Sequence, residues 1–263
     1  MTSVKPVTDT VYTVQQYRQA TGLWNGLRHS PKAVTRYLSQ GNHFVIPKKD
    51  WEKKWKGTNS EYMHIYFGID GREDRLKFIV VDSNNDKRDA CDGSEANHIG
   101  VYDYDNFTAY NELPMAGPRL ADLDNELTFR QAVTRNLVWQ MMMPVWVQEK
   151  CAEHSPDGHQ GFNCGIYRIF KVPFADFADI FETEDNRIIA TFGLKKIDPE
   201  ASHDTDYEGE LIFWGKNKKV LESVGGGSPQ EEDPITDLTK PIPPFGSEEE
   251  INSFNLIDNP LLP

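Results

Sequence analysis

Leu120–Val147, LADLDNELTFRQAVTRNLVWQMMMPVWV, is the longest apolar-periodic run in the chain, and strand-like segments lie on both sides of it. Leu123, Leu127, Val133, Leu137 and Met141 recur at helical spacing, and Asp122, Asp124 and Glu126 stand where a helix N-terminus favours acids. The run predicts a long central helix on which most of the fold packs. Between Leu137 and Val147 only Gln140 is polar, which predicts a helix end buried on every side, and Pro144 predicts a kink or a stop. Met141, Met142 and Met143 read as core. Because thioethers adapt to irregular surfaces, a cofactor slot or partner groove is the alternative reading.

Upstream, Val14, Tyr17, Arg18 and Leu23 suggest a helix broken at Gly22 and Gly26. Ser30 and Pro31 then supply a cap and a first-turn proline for a short helix carrying Ala33, Val34, Tyr37 and Leu38, with Gly41 as its stop. The segment KKDWEKKWK sets Trp51 and Trp55 four apart among five lysines. Basic residues interleaved with aromatics can hold nucleic acid or an anionic surface. An amphipathic helix with Trp inward and Lys outward is the plainer expectation.

The period then changes to two. Met63, Ile65, Phe67 and Ile69 alternate with His64, Tyr66 and Gly68, Asp70-Gly71 opens a turn, and Leu76 to Val81 returns as a second strand. Beyond the central helix, Ile166 to Val172, Arg187 to Ile197 and Tyr207 to Trp214 read as strands, with a short helix around Phe174 to Phe181. The fold class is α+β: a mostly antiparallel sheet, to which both hairpin-like pairs could belong, packed on the long central helix. The globular body spans 1–224, and an acidic, glycine- and proline-rich arm spans 225–263.

The hairpin sequence HIYFGIDGREDRLKFIVVDSNND, through Ile65, Tyr66, Gly68, Asp70, Val80, Val81, Asp82 and Asp86, resembles a group of Bacteroidota proteins with a helical N-terminal part followed by this strand pair. The resemblance implies a related fold over the first third of the chain and a bacterial origin. It implies no activity.

A net charge of −13 over 263 residues argues against general nucleic-acid binding, since a polyanion is repelled unless basic residues segregate on one face. No apolar run approaches the ~20 residues a membrane span requires, and the start MTSVKPVTDT lacks the basic-then-apolar order of a secretion signal. The expectation is a cytoplasmic location, or export without a cleaved signal. Three cysteines, Cys91, Cys151 and Cys164, are too few for a disulfide framework.

Chemistry-bearing residues are sparse. Cys151, His154, His159 and Cys164, spaced C-x2-H-x4-H-x4-C, could close a tetrahedral structural zinc site, with Pro156 and Gly158 turning the loop. The spacing is similar to that of a zinc knuckle, departing at His154 where a knuckle has Cys; Glu149, Glu153 and Asp157 make it acidic, so RNA binding does not carry over. A Cys151–Cys164 disulfide or a metal-free polar loop are the alternatives. Asp82, Asn84 and Asp86 have the alternate spacing of a calcium loop, but Lys87 and Gly93 stand where an EF-hand needs Gly and Glu, which favours a solvated loop. Cys91 with His98, or Cys164 with His159, would be the reactive pair of a small hydrolase. His29, His43, His64 and His203 read as surface or satisfied core histidines. There is no P-loop, G-x-G-x-x-G, H-E-x-x-H or G-x-S-x-G.

The arm GGGSPQEEDPITDLTKPIPPFGSEEEINSFNLIDNPLLP holds eight acids against Lys240 alone, −7 of the total −13. So little apolar surface does not offset the entropy of ordering such a segment by itself. Its apolar residues, with Phe245, Phe254, Leu256, Ile257, Leu261 and Leu262 as partner-binding positions, predict an extended arm with few regular elements that docks across the body or onto a neighbouring subunit. The expected function is that of a non-enzymatic interaction or assembly protein, and the alternative is a Cys/His-based or metal-dependent hydrolase.

Overall fold

The strand pair at Tyr62–Asp70 (β2) and Arg75–Asp82 (β3) forms as its alternation dictates, in antiparallel register from Met63 opposite Asp82 to Asp70 opposite Arg75. Met63, Ile65, Phe67, Ile69, Leu76, Phe78 and Val80 face one buried side together. A slip of one residue would turn all of them to the opposite face, which fixes the register. The turn is tied by Asp70, whose Oδ1 accepts from the amides of Arg72 at 2.8 Å and Glu73 at 3.3 Å. The computed structural model describes residues 13–86, 95–106, 127, 129–152, 165–182, 186–196, 207–214, 220–222 and 240–242.

The other elements are α1 (Val14–Leu27), α2 (Pro31–Leu38), β1 (His43–Pro47), α3 (Lys48–Asp50), β4 (Gly100–Asp103), α4 (Phe129–Ala152), β5 (Ile169–Pro173), α5 (Phe174–Glu182), β6 (Arg187–Lys196), β7 (Tyr207–Trp214), β8 (Val220–Glu222) and β9 (Lys240–Ile242). Helices combine with antiparallel strands, an α+β composition. The two hairpin-like pairs do not share a sheet, contrary to expectation. β2 and β3 lie in a five-stranded sheet ordered β4-β3-β2-β5-β9, and β6 and β7 in a four-stranded sheet ordered β1-β6-β7-β8. Alternation marks a strand's inward face but not which sheet supplies the strand beside it.

The two sheets pack on an aromatic core. Phe44 of β1 stacks on Phe78 of β3 at 4.2 Å between ring centres, and Phe192 of β6 meets Phe67, Phe78 and Phe170 at 5.9, 5.8 and 6.3 Å. The pairs are stacked or tilted, with ring centres at or near the separations at which aromatic contacts add to plain area burial. One corner is pinned where His43 bridges Asp105. There Gly41 is required, because a Cβ on it would stand 2.7 Å from the Tyr104 carbonyl group, which is backbone and cannot yield.

Helix α1 covers the other face of the five-stranded sheet. Tyr17 and Ala20 of α1 pack on Tyr66, Ile79, Val81 and Ile169. The helix runs through Gly22, where a break was expected: it starts with a Thr13–Gln16 capping box, and buried Tyr17, Ala20, Thr21 and Trp24 anchor it along its length. Such anchoring outweighs the roughly 1 kcal/mol that a helical glycine costs. α2 forms as read, with Ser30 as its cap and Pro31 in its first turn.

α4 lies against the four-stranded sheet. Ala132 packs with Ile189, Ile212 and Trp214, Asn136 donates to the Phe192 carbonyl at 2.7 Å, and Trp139 stacks on Phe192 at 4.6 Å. Arg135 donates to both oxygens of fully buried Glu210, at 3.0 and 3.3 Å. Leu127 is buried but lies outside the helix, and 107–126, including the acids read as its N-terminus, lie outside the described residues. Of the kink or stop expected at Pro144, the stop does not occur: the helix runs on to Ala152. Pro144 lies on the exposed side of the helix, away from the packed face.

The segment KKDWEKKWK forms α3 and one π turn over Trp51–Trp55. Trp51 stacks on Phe181 at 5.5 Å, and Trp55 Nε1 donates to the His98 carbonyl at 2.6 Å. Both rings are buried while Lys49, Lys53 and Lys56 are exposed, which is the amphipathic reading. Neither ring is available to stack on a nucleobase.

Candidate functional site

β2 carries His64 and Tyr66 on its outer face, two residues apart and therefore side by side. Both reach one oxygen of Asp86: the His64 Nδ1 at 2.6 Å and the Tyr66 hydroxyl by a short bond. His64 is 4 %, Tyr66 1 % and Asp86 2 % exposed. With the carboxylate accepting, the ring carries its Nδ1 proton toward Asp86, as in an oriented base. The set is buried beside the loop that leaves β3, so its effect is to clasp that loop onto the sheet. A surface or satisfied core histidine was the expectation for His64. Its partner was not legible, since the spacing of Asp86 from Asp82 pointed elsewhere.

The acids read as a solvated loop are not solvated. Asp82 is wholly buried, accepting from Ser60 Oγ at 2.5 Å and Asn85 Nδ2 at 2.6 Å, while Asn84 donates to the Thr58 carbonyl at 2.9 Å. These side chains bind one another and the backbone. Among the described residues no group of three or more His, Cys, Asp or Glu side chains is placed to hold a metal ion.

Of the four residues read as zinc ligands, Cys151 is described, and His154, His159 and Cys164 lie outside the described residues. Cys151, half-buried on the last turn of α4, donates from Sγ to the Arg28 carbonyl at 3.3 Å. Arg28 is itself buried and donates from Nη1 to the Ile166 carbonyl at 3.1 Å. The Gly165 amide bonds the Lys150 carbonyl at 2.8 Å, so the chain leaves α4 and returns to one place. For the hydrolase reading, Cys91 lies outside the described residues, and His98 Nδ1 bonds the Lys54 carbonyl at 2.9 Å. Phe245, Phe254, Leu256, Ile257, Leu261 and Leu262 also lie outside them; within 225–263 the described residues are Lys240–Ile242, which pair with β5.

Near that end of α4 stands Glu208, at the start of β7 and opposite Lys195 in the register. Burial pushes its carboxyl up to about 7, against the pull of Lys150 and Lys195. It is a titrating group that sequence spacing did not single out.

The largest departure from the sequence reading is the face of α4. Leu137, Met141 and Val145, one turn apart, are 42 %, 77 % and 47 % exposed, where burial all round was expected. The methionines split: Met143 is buried, Met142 half-buried and Met141 in solvent. The exposed side chains described on this helix are Arg130, Gln131, Thr134, Leu137, Gln140, Met141, Pro144, Val145, Gln148 and Ala152. Arg130 is the one charge among them. Depletion of charge around exposed aliphatic side chains is a property of interface cores and is unusual on a solvated helix. Comparisons of the chain with protein-family models, curated proteins and solved structures find no match.

Proposed function

We propose that the protein is a non-enzymatic interaction protein of bacterial origin, acting in the cytoplasm, that binds a protein partner along the exposed face of α4. The observation carrying this reading is the Leu137, Met141, Val145 stripe on a face with a single charge. The partner of matching chemistry is an amphipathic helix, whose apolar ridge packs into the grooves beside this one. The arm's apolar residues Phe245, Phe254, Leu256, Ile257, Leu261 and Leu262 form the second interaction element. The pairing of Lys240–Ile242 with β5 supports it, because it brings the arm onto the body.

Met141→Lys tests this reading. Burying an exposed methionine is worth about 2 kcal/mol, and an unpaired ammonium there opposes burial outright. Proteins co-purifying with the native chain are expected to be lost from the variant, with the unfolding midpoint unchanged. A partner set that does not depend on residue 141 would remove the proposal.

We also propose structural zinc at Cys151, His154, His159 and Cys164. The bond from Gly165 to Lys150 supports a closed loop base, since Cys164 and Cys151 each adjoin one of the bonded residues. Elemental analysis of untagged protein is expected to find about one zinc per chain, with metal-to-sulfur distances near ~2.3 Å by X-ray absorption. Less than a tenth of an equivalent leaves a disulfide or a bare loop.

A further inference from the structure

Four large hydrophobic side chains are exposed among the described residues, and three of them, Leu137, Met141 and Val145, stand on α4. They are centred on Met141, with Leu137 four residues before it and Val145 four after. The exposed face continues outward with Thr134 and Gln148 at seven residues on either side, and Arg130 and Ala152 at eleven. Steps of four and three of this kind are those of a helix–helix seam, at a shallow crossing of about 20° that keeps two helices side by side along their length. An apolar middle between neutral polar flanks also suits a two-fold contact, in which one patch must serve both sides. Run antiparallel, a second copy of α4 sets Met141 against Met141, Leu137 against Val145 and Thr134 against Gln148.

Arg130 fixes the direction. It stands in the first turn of α4, where the helix's own N–H ends disfavour a cation and no acid offsets it. An antiparallel copy brings its last turn to this place, with its carbonyl ends and half-buried Glu149, which favour a cation. Lys150, the cation of that last turn, acts on Glu208 of its own chain. A parallel copy would instead set Arg130 against Arg130.

We propose that a second copy of this chain covers the α4 face, the two helices antiparallel and meeting at Met141. The inference rests on the reading of α4 as an interaction face and names its occupant. Ten exposed side chains on each copy fall short of the roughly 20–30 residues a lasting interface engages per side. The charge of −13 on each copy adds repulsion that salt screens. The pair is therefore reversible, with monomer and dimer exchanging in the micromolar range.

The test makes Leu137→Cys, Met141→Cys and Val145→Cys singly in the full chain and maps the disulfides of the oxidised dimer band by mass spectrometry. Met141→Cys is expected to link to itself, because facing positions on helices roughly 8–10 Å apart come within the ~4.4–6.8 Å between α-carbons that a disulfide spans. Leu137→Cys should not, since residues 137 of two antiparallel copies lie about 12 Å apart along the axis. It should link to Val145→Cys when the two variants are mixed, at a yield at least tenfold above either alone. Self-links at all three positions would mean parallel helices, and links at none, or to native cysteines alone, would mean that no second copy seats here; each overturns the proposal. In sedimentation equilibrium the native chain is expected to dimerise at micromolar concentrations. Arg130→Glu should weaken the dimer at least tenfold without lowering the monomer's denaturation midpoint, because an acid suits the first turn of its own helix. A chain monomeric throughout that range overturns the proposal as well. The co-purification test of Met141→Lys reads the face by itself: partners lost from that variant in a chain that forms no dimer would keep the face and remove the second copy as its occupant.

Discussion

At Glu208 a single side chain carries a pH dependence. Its carboxyl titrates near 7 in the folded chain, against an ordinary value of 4.5, because burial disfavours the charged form more than Lys150 and Lys195 favour it. Between those two values the folded state holds a proton that the unfolded state has released. Stability therefore falls as pH rises from 4.5 to about 7 and is level above that. Glu208→Gln stays neutral throughout, so denaturation midpoints of the variant and the native chain should diverge across this window, with the variant the more stable at pH 8. Parallel curves would mean that Glu208 is solvated in the folded chain. The His64, Tyr66 and Asp86 clasp belongs to the same scale: three residues that sequence spacing did not join become one unit because β2 sets two of them side by side and the loop after β3 delivers the third.

Among the elements, α4 is where propensity and tertiary context disagree. The sequence placed a kink or a stop at Pro144, and the helix continues to Ala152, held on its inner side by Trp139, Trp146 and Val147. Replacing Pro144 by Ala restores an amide for the Gln140 carbonyl on the exposed side. It should raise stability by about 1–2 kcal/mol, the helix gain less the entropy the proline removes from the unfolded chain. A urea-unfolding series measures it, and a loss of stability would show that the proline's geometry is used. Elements whose cues were local are where the sequence put them: the Ser30-capped α2, β7 from Tyr207 to Trp214, and the β2–β3 hairpin. α1 and α4 exceed their predicted stops because buried side chains beyond each breaker hold the helix in place.

Across the whole molecule, β8 and β9 each line one edge of a sheet. The glycines Gly225, Gly226 and Gly227 mark the end of the body in sequence, yet Lys240–Ile242 beyond them pair with β5. Pro241 has no amide to donate, so this edge presents fewer bonding groups than a free strand would. Sequence alone determined the strand faces, the Ser30 cap, the inward tryptophans of KKDWEKKWK and the acidity of the arm. All of these follow from residue type and short-range spacing. Tertiary structure decided the division into two sheets, the meeting of Asp86 with His64, the titration of Glu208 and the exposure of Met141. Those depend on which surfaces meet across long chain separations: an apolar stripe looks the same in sequence whether a sheet covers it or water does.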